Sequence, residues 1–354
     1  MTAGTSDGAA RFERRAMGSP LRLTVAGVAA DRAAAGWERV SSAIEEIEQA
    51  LSRFRPTSDL VRLNDVAGDP AGLAVHPRLV AALVAAERAR RMTGGAFDPR
   101  ILRDLERLGY VGVPPAIGPD AAVIGPAPGA TAPGATASGA TAARVVARVG
   151  EPRGAQRSFA DGRWLDCDPR GSRAAVAVPV DLGGIGKGLA IRWAITLLAT
   201  TLPELDGPGT GALLEAGGDL AARGRAPNGG PWMVGIEDPA GGEMPAVVAL
   251  QDGAICTSSI EVHRWRKDDG REVHHLLDPR TGEPGGAGLV SVTVAGPDPA
   301  WAEVWSKGLF LEGAAGIGAR ARSMGLAAWW VRDDGSLEMT PAARQRSAWV
   351  RGDG

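Results

Sequence analysis

The sequence predicts an α+β fold, and two patterns predict it. Runs with strand character follow one another directly in the second half of the chain, at 211–224, 231–239, 246–259 and 289–296, bounded by turn residues. Helical periodicity is confined to separate blocks, at 31–54, 76–94, 188–202 and 300–313, and does not alternate strictly with strands as βαβ units would.

Element by element, residues 1–15 are polar and read as a disordered tail, and 16–354 as one domain. "SPLRLTVAG" (19–27) alternates apolar and polar residues as a half-buried strand does. In 31–54, Val40, Ile44, Ile47 and Leu51 fall at three- and four-residue spacings on one helical face. The polar "RPTSDLVRLNDVAGD" (55–69) reads as a loop. A second helix, 76–94, has Pro77 near its first turn and glycines past its end. From about 118 to 156 the composition shifts to Gly, Ala, Thr and Pro, with Gly-Ala-Thr repeated three times, too little apolar surface to offset ordering entropy. This segment is expected to be a disordered insertion. "AAVAVPVD" (174–181) then reads as a strand, and a glycine turn leads into the helix 188–202.

The 354 residues carry 39 basic and 41 acidic side chains, a formal charge of −2, which gives no electrostatic reason to expect nucleic acid or an anionic membrane as partner. Cys167 and Cys256 stand far apart, the pattern of a reduced protein. The first 25 residues lack an apolar signal core, a small-residue cleavage site and a lipobox cysteine. The apolar run 189–202 is too short to span a bilayer and contains Arg192. The expectation is a cytoplasmic protein without a membrane anchor. Only three lysines occur, Lys187, Lys267 and Lys307, so an ammonium is a rare choice in this chain.

Five stretches carry candidate chemistry. In "DLGGIGKGLA" (181–190) a glycine turn enters a helix, which exposes backbone N–H groups to an anion, with Lys187 beside them. It is neither a P-loop, since Leu182 and Gly188 stand at key positions, nor a Rossmann fingerprint, since Leu189 replaces the third glycine. Taken alone, the turn reads first as a tight strand-to-helix connection with an incidental lysine. In "HHLLDPRTGEP" (274–284) a turn-held histidine near Asp278 suits a general base, or a histidine satisfied within a hairpin. "CTSS" (256–259) reads as strand-end hydrogen bonding before it reads as a nucleophile. Asp98 in "GGAFDP" precedes a proline and suits either a turn or a ligand. Glu303 and Lys307 lie four apart on one helical face, the spacing of an ordinary surface ion pair.

Together and in this order these stretches resemble the ApbE family of FAD:protein FMN transferases. The landmarks are "MGSPLRL" (17–23), "ALSRFRPTSDLVRLND" (50–65), "TGGAFDPR" (93–100), "DLGGIGKGLA", "LLEAGGDLAARG" (213–224), "WMVGIEDP" (232–239), "ICTSS" (255–259), "HLLDPRTGEP" (275–284) and "AWAEVWSKGLF" (300–310). The resemblance implies mixed and antiparallel sheets packed with helices around a flavin-binding cleft. It implies transfer of FMN from FAD to a threonine hydroxyl of an acceptor flavoprotein, with release of AMP. FAD hydrolysis to FMN and AMP, or FAD binding with weak turnover, are the alternatives. Carried over by position, Met17, Phe54, Ala96, Phe97, Asp98, Asp181, Lys187 and Leu277 contact FAD, and the glycine turn holds its pyrophosphate. His275 is the implied general base. Lys187 and the amides around Gly183 and Gly184 are the implied electrostatic stabilisers. The family's magnesium positions fall on Gly184, Glu303 and Lys307, where Lys307 stands for a threonine and Glu303 for an aspartate. A charged ammonium has no lone pair for a metal, so the expectation is that Lys307 replaces the ion, held by Glu303 and a turn carbonyl. Arg192, where the family often has Asp, suggests a rearranged nucleotide contact.

Overall fold

The computed structural model describes residues 2–6, 8–111, 158–168, 170, 172–261, 263–267 and 269–352. The expected insertion at 118–156 lies outside the described residues. A nine-stranded sheet forms the centre, and its strands neighbour one another in chain order: Thr2–Ser6, Ala9–Ala16, Ser19–Ala26, Gly211–Ala216, Asp219–Gly224, Gly253–Ser259, Leu289–Gly296, Ala327–Arg332 and Leu337–Met339. Each neighbouring pair is antiparallel. The α+β expectation therefore holds, and most of the other described elements are inserted between successive strands of this sheet, while a helix (Pro341–Arg346) and a strand (Ser347–Val350) follow its last strand.

The helices are α1 (Ala30–Leu51), α2 (Asp59–Asp65), α3 (Pro77–Met92), α4 (Leu102–Arg107), α5 (Gly186–Thr201), α6 (Pro299–Phe310), α7 (Gly313–Ser323) and α8 (Pro341–Arg346). The apolar stripe of α1, with Trp37, Val40, Ile44 and Ile47, packs with Leu21, Leu23 and Val25 of the sheet and with Leu189, Ile191 and Leu198 of α5 in one buried cluster. Each fully buried aliphatic side chain contributes roughly 1.5–3 kcal/mol, so this cluster fixes the position of α5 and the turn before it. Among the described residues no helix is long and apolar enough to cross a membrane.

Three expectations are corrected here. The stretch 1–15 is not a tail: Thr2–Ser6 and Ala9–Ala16 are strands, and Phe12 stacks on Trp37 with ring centroids 5.7 Å apart. Its alternating charges serve the outer face, where Arg22 binds Glu13 and Glu215 at 3.1 Å each. The loop 55–69 contains α2, whose Ser58 side chain accepts the Val61 N–H at 3.1 Å as an N-cap. The strand expected over 174–181 stops at Val176, because Pro179 has no N–H and the Asn64 side chain takes both backbone groups of Val180 at 2.9 Å.

Candidate functional site

A cleft of about 480 Å³ opens where the ends of several elements meet. Met17 comes from the hairpin turn between the strands Ala9–Ala16 and Ser19–Ala26. Both its turn residues have positive φ, 51° at Met17 and 75° at Gly18, the two-residue turn that matches strand twist. Phe54 follows the end of α1, which stops at Leu51 and so frees Arg53 and Phe54 to line the cleft. Ala96, Phe97 and Asp98 come from the loop after α3, pinned by Phe97 N–H to Thr93 Oγ1 at 2.9 Å. Asp181 and Gly184 come from the turn before α5, Lys187 from the first turn of α5, His275 and Leu277 from the segment after Glu272–His274, and Lys307 from α6. All of these line the same cleft. Glu303, expected at a magnesium position, does not line it, being 0% exposed beneath Lys307, and neither does Arg192.

The glycine turn is held from several sides. Asp181 accepts the Gly183 N–H at 2.8 Å, and its own N–H donates to Pro99 O at 2.8 Å, tying the turn to the Phe97 loop. The Gly183 amide is thus committed within the turn, against the expectation that it serves an anion. The Gly184 N–H has no partner among the described residues. A Cβ at Gly184 would lie 2.7 Å from the Phe97 ring and 3.2 Å from Lys307 Cδ, so glycine is required where the turn meets α6.

Charge in the cleft is arranged in pairs. Lys187 Nζ sits 2.7 Å from Asp219 Oδ2, and Asp219 also accepts the Thr257 N–H at 3.1 Å. Desolvation works to lower the Lys187 pKa, but Asp219 and Glu303 outweigh it and raise it above the ordinary lysine value. Lys307 Nζ donates to Glu303 Oε1 at 3.2 Å, and Glu303 Oε2 accepts the Gly188 N–H at 2.8 Å. Burial pushes the Glu303 pKa up, against the pull of Lys307. The expected bond from Lys307 to a turn carbonyl is not among its hydrogen bonds; only its stem lies against Gly184.

His275 lies with Nδ1 3.3 Å from the His263 carbonyl. A carbonyl oxygen only accepts, so this contact puts the proton on Nδ1 and leaves the lone pair on Nε2. Burial, with His263 and Lys307 nearby, drives its pKa well below the ordinary histidine value, and the ring is neutral at pH 7. Burial, with Lys187 and Arg53, lowers His263 to about 4. The orienting group is therefore the His263 carbonyl and not Asp278, whose oxygens accept from Arg280 at 2.7–3.1 Å.

Several residues in the cleft or behind its wall were not singled out from sequence. Asp219 holds Lys187. Arg53, 8% exposed, reaches Asp181 at 2.8 Å and lies 4.3 and 4.5 Å from the ring centroids of Phe54 and Tyr110. Tyr110, its pKa pushed up to about 12 by burial, stacks on Trp265 at 5.3 Å. Arg192 is not in the cleft: it pairs with Asp298 at 2.5 Å, the residue whose side chain caps α6 through Trp301 N–H. Cys256 is buried, donates to Pro299 O at 3.3 Å and has its pKa raised well above the ordinary value by burial, as an inert structural thiol would. Asp98 has both oxygens engaged by Arg100 at 2.6–3.2 Å.

Residues 17–330 match the model of the ApbE family. An FAD:protein FMN transferase of Salmonella typhimurium is 27% identical over 340 residues, covering 94% of this chain and 87% of its own. One from Treponema pallidum is 30% identical over 289 residues, covering 79% and 72%. In fold, the ApbE protein of Thermotoga maritima superposes with a TM-score of 0.75 at 23% identity, covering 96% of this chain and 100% of its own. The Pseudomonas stutzeri flavinyl transferase ApbE gives 0.69 at 24%, covering 96% of both. With the family model matching residues 17–330, most of its length, this chain belongs to the ApbE family.

Proposed function

We propose that this chain is an FAD:protein FMN transferase, which joins the FMN half of FAD to a threonine hydroxyl of an acceptor flavoprotein and releases AMP. The observation that carries this reading is the convergence, in one cleft, of two ammonium groups, a glycine turn with a free N–H and a neutral imidazole. In this reading Met17, Phe54, Ala96, Phe97, Asp98, Asp181 and Leu277 hold FAD, and the pyrophosphate lies at the turn. Asp98 acts through the Arg100 pair as much as by direct contact.

His275 takes the hydroxyl proton of the incoming threonine at Nε2. The threonine oxygen bonds to the FMN-side phosphorus as the bond from that phosphorus to the bridging oxygen breaks, and the electron pair leaves with AMP. Lys187, Lys307 and the Gly184 N–H stabilise the charge that builds on the departing phosphate.

The residues at the family's magnesium positions do not fit a divalent ion. Both Glu303 oxygens are taken, by Lys307 and by Gly188 N–H, and the third position is an ammonium with no lone pair. Among the described residues no group of three His, Cys, Asp or Glu side chains could hold a metal. No step is assigned to one; the Lys307 ammonium supplies the positive charge. The test is to incubate the purified chain with FAD and an acceptor carrying a target threonine, in excess EDTA, and weigh the acceptor by mass spectrometry. A covalent FMN adduct is expected. Free FMN and AMP without an adduct would make the enzyme a hydrolase, and absence of FAD binding would end the reading.

A further inference from the structure

Three helices that bound the cleft also share a surface beside it. Lys187 from α5 and Lys307 from α6 line the cleft, and the loop after α3 adds Ala96, Phe97 and Asp98. Arg192 stands five residues after Lys187, and Trp301 six before Lys307, about 7–9 Å of helical rise in each case. There the three helices bring arginines onto tryptophans. Arg88 of α3 and Arg192 of α5 lie over the Trp301 ring, 5.0 and 5.3 Å from its centroid. Arg78 of α3 lies 5.0 Å from the ring centroid of Trp193.

The rings act as shelves for the guanidinium groups. Trp193 and Trp301 are half-buried and pack against the cluster that fixes α5, while Arg78 is half-buried and Arg88 exposed. A guanidinium lying over a ring keeps its N–H edge free for a planar anion. Arg192 pairs with Asp298. Among the described residues, neither Arg78 nor Arg88 has a salt bridge or a side-chain hydrogen bond. Three guanidinium charges are thus met at salt-bridge distance by one carboxylate.

We propose that this face docks an acidic segment of the acceptor protein and so brings its threonine to the neighbouring cleft. The inference rests on the transferase reading above. A protein substrate that reaches into a cleft also lies on the surface beside it, where complementary charge steers the encounter and fixes the register. Arg78 and Arg88 are ten residues apart on α3, about 15 Å along its axis, and Val84 stands between them, 46% exposed. Two acids about four or five residues apart in an extended segment, with an apolar residue between them, span that distance. Each arginine can grip a carboxylate through two parallel N–H bonds. A membrane surface fits this face less well. Its binders place tryptophan rings among the headgroups, and here both rings are half-buried under guanidinium groups.

The experiment compares the full-length wild type with R78E/R88E and with the neutral R78Q/R88Q. FMN transfer is followed onto two substrates, the whole acceptor protein and a short synthetic peptide centred on its target threonine, at low and high salt. In R78E/R88E the KM for the whole acceptor should rise on the order of tenfold or more, with R78Q/R88Q in between. The salt dependence of that KM should shrink in both variants. FAD affinity, kcat at saturating acceptor and the kinetics with the peptide should stay at wild-type values, which also shows that the variants fold. Replacing the matching acids of the acceptor by lysine should restore transfer by R78E/R88E. An unchanged KM for the whole acceptor, or a loss shared equally by the peptide, would overturn the proposal. Binding to phosphatidylserine vesicles that R78E/R88E abolishes, with the acceptor KM unchanged, would give the face to a membrane instead. A wild type that binds FAD but modifies no acceptor would defeat the transferase reading, and this inference with it.

Discussion

Replacing Lys307 by methionine perturbs the site at its most unusual point. At 3.2 Å the Lys307–Glu303 attraction is about 5 kcal/mol for an effective dielectric constant near 20. Removing one partner of a buried pair typically costs about 3–5 kcal/mol, because the other charge is left without water or partner. Glu303, 0% exposed, would keep only the Gly188 N–H. Burial already favours its protonated form, so uptake of a proton limits the loss. K307M should therefore lose about 3 kcal/mol at pH 8, less near pH 5, and the K307M/E303Q double variant should recover most of it. Transfer by K307M should fall on the order of 10²–10³-fold, the usual effect of removing one preorganised charge stabiliser. The assay is urea unfolding at both pH values, followed by FMN transfer in EDTA. Wild-type stability and wild-type transfer in K307M would refute the reasoning. So would a wild-type enzyme whose activity vanishes in EDTA and returns with magnesium.

Three further outcomes are expected. H275N should bind FAD normally while turnover falls about 10²–10⁴-fold, as for loss of a general base, and the acid limb of the wild-type rate profile should lie well below pH 6.5; an acid limb at or above pH 6.5 would contradict the neutral, buried imidazole. G184A should weaken FAD binding by displacing Phe97 or Lys307, which calorimetry would detect as a change in affinity. Stability should depend on acidity through the histidines. Burial holds His263 and His274 at about 4 in the fold, so their contribution is complete above the unfolded value of about 6.5 and is lost as pH falls towards 4. Each contributes a slope of at most about 1.4 kcal/mol per pH unit in that window, and thermal melts with no decline between pH 6.5 and pH 4 would contradict it.

The sequence made legible those parts of the molecule where period and punctuation agree. The strands Gly211–Ala216 and Asp219–Gly224 and the strand Leu289–Gly296 match the expected ranges, because alternation and flanking glycines coincide there. α2 was hidden because a seven-residue helix buries only Leu60 and Leu63, too few to display a period; its legible signal was the Ser58 cap. The first strands were hidden behind outward-facing charges. In the site, the residues quoted from the ordered motifs do line one cleft, Glu303 lying beneath it. Their partners were harder to read. Asp219 finds Lys187 across thirty-two positions of chain, and Arg53 finds Asp181 across more than a hundred, by tertiary geometry that no local pattern encodes. The neutrality of His275 likewise comes from burial beside His263 and Lys307, and its tautomer from a carbonyl on another strand end, not from its own motif.

The order of strands in the central sheet bears on how the enzyme comes into being. Leu23 pairs with Leu214, so the edge left by the first three strands stays bare until about two hundred further residues have left the ribosome, a loop whose closure is entropically costly and slow. Met17 and Gly18 stand on the early side of that join, Gly217 and Lys307 on the late side. A nascent chain therefore cannot assemble its dinucleotide cleft piecemeal. Occupancy by nucleotide would report completed closure of the join, and a slow refolding phase that shortens with added FAD is the kinetic signature to seek.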